Sequence, residues 1–196
     1  MSENRNHVGK EKILEKAEKL FTEHGFQAVS IRSIADICGV TNAALYYHFE
    51  DKAALFAEVM KRHTQRLSER LAEAGEAFES PKDKIHAMVK EYLRLVSNRQ
   101  NFMFLIRHHG REIRESNPPS QFVEMVTDVL SPFDDVLDLA VENGVVRPFP
   151  EGYSGASILI GMIHGLSGYQ RIQGEEALKE EDLENVIDYF WNGIKV

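Results

Sequence analysis

Apolar residues recur at helical spacing along nearly the whole chain, so an all-α protein is expected. Ile13, Leu14, Ala17, Leu20 and Phe21 form one stripe over residues 8–24, with Lys and Glu opposite. Gly25 ends that helix, and Phe26 and Val29 anchor the loop that follows. Ile31, Ile34, Ala35 and Cys38 then define a second buried face, begun by the cap Ser30 and stopped by Gly39. Thr41 is a natural N-cap for a short helix from Asn42 to His48, which Leu45 and Phe49 would pack onto the one before. Asp51 caps, and Lys52 opens, a long helix to about Ala77. Ser80-Pro81 is a cap followed by proline at the first helical position, and it restarts the chain as a helix over 82–98. Another helix is expected over 101–115. After Asn117-Pro118-Pro119 a further one runs over 120–143, with Pro132 predicted to kink it. Residues 153–172 are apolar nearly all round the wheel, which predicts burial on every side. The last helix, 181–194, gathers Leu183, Val186, Ile187, Phe190 and Ile194 on one face. The total is about nine helices.

The stretch 30–52 organises this series. A helix with one buried face, a glycine turn and a second short helix make the helix-turn-helix pattern. The second helix carries an exposed face of hydroxyls, an amide, small residues and polar-tipped aromatics: Thr41, Asn42, Ala43, Tyr46, Tyr47 and His48. Such a face can enter the major groove and meet base edges and phosphates together. Arg32 lies in the first turn of the preceding helix, where a phosphate could sit.

Ala35, Gly39, Val40, Thr41, Ala43, Leu45, Tyr46, His48, Phe49 and Lys52 stand in the order and spacing of the helix-turn-helix of TetR-family repressors. The first 55 or so residues resemble that family. The remainder resembles it only in length and helical character. The resemblance implies a three-helix DNA-binding domain over residues 1–50 and a helical effector-binding and dimerisation domain over 51–196. It implies a homodimeric regulator, usually a repressor, that holds a near-palindromic double-stranded operator and releases it when a small molecule enters the body. On this reading Lys52, Thr41, Tyr46 and His48 meet phosphates, while Asn42, Ala43 and Tyr47 lie nearest the bases. A family member without an effector is the alternative.

Composition narrows the class. Hydrophobic residues make up 43%, which fits a folded chain. Net charge is −8, unusual for a DNA binder until its distribution is considered. Residues 1–52 carry −1, residues 53–114 +4 and residues 115–196 −11. The acid thus sits far along the chain from the reading helix, and tight DNA binding should depend on dimerisation. One cysteine, Cys38, rules out an internal disulfide and suits a reducing cytoplasm. The polar N-terminus has no signal-peptide core, and no apolar run reaches membrane-spanning length.

Other chemistry is thin. His108 and Glu112 are spaced for one metal ion, but adjacent His108 and His109 point about 100° apart and there is no second Cys, so no metal is expected. Cys38 reads as a packing residue. Arg62, Arg66 and Arg70 share one helical face and read as solvated. No phosphate loop or nucleophile elbow is present, so neither a cofactor nor a catalytic role is expected; an enzyme would have only the histidines and Tyr92 to build on. Met88, Tyr92, Phe102, His109, Phe122 and Met125 could line an adaptable apolar pocket for a mostly apolar effector with one or two polar groups. His109 itself reads equally as a core histidine or a pocket fixture. Ser157, Gly161, Gly165 and Gly168, with Val186 and Phe190, would let the last two helices pair with a second copy.

Overall fold

The structure is a computed structural model, and it describes residues 9–97, 119–174 and 178–196. The described residues form eight α-helices: α1 (Lys10–Ala28), α2 (Ile31–Cys38), α3 (Asn42–His48), α4 (Lys52–Glu76), α5 (Pro81–Ser97), α6 (Pro119–Glu142), α7 (Gly155–Ile172) and α8 (Glu180–Ile194). No strand occurs among them; one isolated antiparallel bridge joins Val146 to Lys195. The helix expected over 101–115 lies outside the described residues. The described residues divide into two compact units.

The first unit comprises the described residues up to Leu67 together with the described residues of Leu93–Asp128. Its core is the α1 stripe closed by Ile34, Ala35, Leu45 and Phe49, with Phe21, Phe26 and Phe56 in mutual ring contact at 4.7–5.9 Å. Leu55, Phe56, Val59 and Met60 of α4 are buried in that same core. The start of α4 thus supplies one wall of this unit. Gly25 adopts φ 79°, so the regular helix breaks there although the turn continues to Ala28.

Charge pairs clamp α1 to α4. Lys10 meets Glu58 at 2.6 Å, Arg62 pairs with Glu11 and Glu15, and Glu18 receives both His63 (3.0 Å) and Arg66. Arg70 pairs with Glu91 in the second unit. In the arginine row expected to face solvent, Arg66 and Arg70 are exposed and Arg62 is half-buried, and each is also paired, because acidic residues on α1 and α5 stand opposite it. Burial raises the Glu18 pKa, but the bonds from His63 and Arg66 and their charge outweigh it and leave the carboxyl below its ordinary range.

The second unit comprises Ser68–Tyr92 and Val129–Val196. Here α5 packs closely on the end of α4: a side chain at Gly75 would meet the Met88 sulfur at 3.2 Å. α6 runs through Pro132 as one element. Asp134 of α6 accepts from the Ser154 hydroxyl (2.7 Å) and from the Ala156 amide (2.9 Å), so α7 begins on a carboxylate at its positive end. Glycine at 155 lets neighbouring side chains close over the start of α7, since a Cβ would stand 2.6 Å from the Phe149 ring and 2.8 Å from Leu137, which would have to shift. Leu159, Ile160 and Ile163 of α7 face inward, as do Leu183, Ile187, Phe190 and Trp191 of α8.

Candidate nucleic-acid interface

The helix-turn-helix is defined by its caps. The Ser30 hydroxyl accepts from the Ser33 amide at 3.0 Å, and Ser33 reciprocates on the Ser30 amide at 3.0 Å. α2 ends at Gly39 in the left-handed region (φ 71°), and Val40 donates back to the Ala35 carbonyl at 3.0 Å. Thr41 caps α3 by accepting from the Ala44 amide at 3.2 Å. Asp51 caps α4 through the Ala54 amide at 2.7 Å. Three polar N-caps and one left-handed glycine thus fix the turns around α3, and buried Leu45 seats it.

The opposite side of α3 is bare. Tyr47 is 85% exposed and Tyr46 55%, and Thr41, Asn42 and Ala43 are exposed beside them. His48 is half-buried, with its ring edge-on to Tyr47 at 5.1 Å. Arg32 is exposed in the first turn of α2. These seven positions lie within one short segment and present donors, acceptors and rings with no ionised acid on α3 itself. Cys38 is buried in the head core, where desolvation raises its thiol pKa against a smaller opposing pull from Lys16 and Lys12.

Lys52 is placed differently. Its Nζ donates to the carbonyls of Phe26 (2.9 Å) and Val29 (3.0 Å) and lies 4.2 Å from the centre of the Phe26 ring. Desolvation lowers its pKa from the ordinary lysine value.

Residues 13–59 match the family model described as bacterial regulatory proteins, tetR family. The head is that of a TetR-family transcriptional regulator. The chain is 29% identical over 163 residues to the HTH-type transcriptional repressor BepR of Brucella suis, covering 80% of this chain and 77% of BepR. It is 24% identical to the repressor KstR2 of Mycolicibacterium smegmatis, over 71% of this chain and 68% of that protein. In fold it is similar to a TetR-family regulator from Mesorhizobium loti, with a TM-score of 0.72, 18% identity and coverage of 95% and 96% of the two chains. The described residues are helical apart from the connecting turns, as in the TetR-family structure to which the chain is similar.

The positions considered for an effector are split. Met88 and Tyr92 are buried in the second unit and Met125 in the first, while Phe102, His109 and the Phe122 side chain lie outside the described residues. Sequence reasoning missed the partner of Tyr92: its hydroxyl is 3.0 Å from Nε2 of His164 on α7. No sequence spacing links residues 72 positions apart, so only packing could reveal that pair.

The positions considered for dimerisation are also split. Ser157, Gly161 and Gly165 are exposed, Gly168 and Val186 half-buried. Phe190 is buried and stacks on Phe149, with ring centres 6.5 Å apart. The apolar face of α8 therefore closes onto its own chain, and Phe190 is a core residue of the protomer. α7, expected to be buried on every side, keeps Ile158, Met162, Tyr169 and Ile172 exposed within the single chain. Among the described residues no helix is long and apolar enough to cross a membrane, and no group of three metal-binding side chains converges.

Proposed function

We propose that this TetR-type regulator is a homodimeric repressor, that α3 reads a near-palindromic operator, and that a small, mostly apolar molecule releases it. The observation that carries the reading is the bare, capped α3 in a head of this family. Arg32, Thr41, Tyr46 and His48 serve as phosphate contacts, and Asn42, Ala43 and Tyr47 lie against the base edges. Relatives named as repressors support repression.

Dimerisation is supported by the glycines of α7. Where a Cβ would stand at Gly161, Gly165 and Gly168, no described atom beyond its chain neighbours and the helix's own backbone lies within 4 Å. Glycine inside a helix costs about 1 kcal/mol relative to alanine, and no described residue of the protomer needs that loss. A second helix approaching along this face accounts for it. Two heads related by a two-fold axis then call for a near-palindromic site.

The effector reading rests on Tyr92, a buried ring with a polar tip, beside Met88 in the second unit. A regulator without an effector is the second reading, favoured by Met88 filling the gap over Gly75 and Tyr92 already meeting His164. Selection of operator from random DNA, followed by a metabolite screen for release, tests both. Recovery of no preferred sequence defeats the operator reading, and failure of every small molecule to release it favours the second. A releasing ligand must bind the DNA-incompetent state more tightly, since equal affinity shifts nothing.

A further inference from the structure

Val29 is the last residue before the helix-turn-helix and Lys52 the first after its capping Asp51. One ammonium joins the two. Two of its three protons are directed to the Phe26 and Val29 carbonyls, at 2.9 and 3.0 Å. The charge also lies over the Phe26 ring, which packs edge-on against Phe56 of α4 at 4.7 Å. These carbonyls follow the break at Gly25, where the α1 ladder is interrupted and acceptors need another donor. The side chain spans 23 to 26 positions of sequence and closes segment 30–51 into a ring.

We propose that Lys52 is a positioning residue for DNA recognition: it clasps the two ends of the helix-turn-helix together and sets the entry of α2, and hence the seat of α3, without itself neutralising a phosphate. The proposal rests on DNA binding by the head. Only one of its N–H groups remains for a phosphate, and swinging the ammonium towards the DNA would cost both carbonyl bonds and the ring contact. A cation held in this way contributes to affinity through the geometry of Arg32 and the α3 face, so its loss should not alter the number of counterions released.

The test uses the full chain and the operator selected above. Lys52→Met keeps the stem and removes the donors. Its operator affinity should fall about tenfold or more at every salt concentration, with the salt slope of wild type, as loss of bonds to a charged donor implies. Amide exchange at residues 30–33 should quicken in the free protein. Arg32→Ala, as the comparison, should reduce the slope by about 1. Lys52→Arg keeps the charge but replaces a compact ammonium by a planar fork, so it too should lose affinity at unchanged slope. A slope reduced by about 1 in Lys52→Met with unchanged exchange would make Lys52 a phosphate contact and overturn the proposal. Faster exchange with wild-type affinity would make it a stabilising residue only, and would overturn it equally. If Lys52→Met does not fold, the Lys52 ammonium resonance of the wild type decides. It should keep its carbonyl-bonded shift when operator is added, and a move to a phosphate-bonded shift defeats the clasp. Wild type that selects no DNA would instead defeat the DNA-binding premise, leaving the exchange result intact.

Discussion

On α3 the exposed positions carry two tyrosines, an amide and a hydroxyl; on α7 they carry glycines, isoleucine and methionine. Both helices bury one face in their own unit and leave the other open. The open face of α3 is polar at its tips and framed by capped turns, which suits a hydrated, charged surface such as a DNA groove. The open face of α7 is mainly apolar, with Arg171 at its C-terminal end, and its glycines lower the surface to backbone level. Ile172 is 85% exposed and Tyr169 58%, so this is apolar area that water covers at a cost in the single chain. The difference teaches that exposure alone does not name a partner. The chemistry of the exposed tips does.

The largest expected effect breaks the α7 side. Gly165→Leu places a bulky side chain where the described residues leave open space, so the monomer should melt no lower than wild type. A paired helix would meet it as overpacking of about 1–3 kcal/mol or more, felt by both copies. Light scattering should show dimer giving way to monomer, and a variant that stays dimeric removes α7 from the interface. Next comes the α3 side. Tyr47→Ala should lower operator affinity by about 1–3 kcal/mol and change stability by no more than about 0.5 kcal/mol. A binding titration beside a thermal melt measures both, and a large loss of stability would mean that Tyr47 packs rather than reads.

A smaller effect sharpens how each helix is seated. Asp134→Ala removes the carboxylate that Ser154 and the Ala156 amide share, and a lost cap of this kind costs about 0.5–2 kcal/mol. Urea denaturation should report the loss, while operator affinity per folded dimer stays as it was if α3 is seated independently. The smallest effect is set by pH. The Glu18 pKa in the folded head lies below its ordinary 4.5, so its contribution is fully present above that pH and fades as pH falls through the folded value. Glu18→Gln should flatten the acid limb of the melting curve and leave the neutral limb parallel to wild type. An acid limb that is unchanged would mean that other carboxylates carry the acid sensitivity.

Much of this arrangement was legible in the chain because its signals are local. Ser30, Gly39, Thr41 and Asp51 act on backbone groups within a few residues, so the turns around α3 follow from sequence order. The apolar stripe of α1 and the restart at Ser80-Pro81 are equally local, and the element ends agree to within a few residues. The exposed face of α3 was readable for the same reason: a seven-residue helix with one seated leucine leaves little choice about what points outward.

What failed to be legible depends on partners distant in sequence. Arg62 and Arg66 look like a solvated row until α1 brings Glu11, Glu15 and Glu18 opposite. Phe190 looks available for a second chain until Phe149 stacks on it. Tyr92 acquires His164, and Lys52 acquires two carbonyls more than twenty residues earlier, neither of which any periodicity encodes. The sequence by itself determined where helices start and stop and which faces are apolar, because caps and 3.6-residue spacing act within one element. Which apolar face is consumed inside the chain, which charge is paired and that Lys52 is held by two distant carbonyls were decided by packing, because those depend on distances between elements that local chemistry does not set.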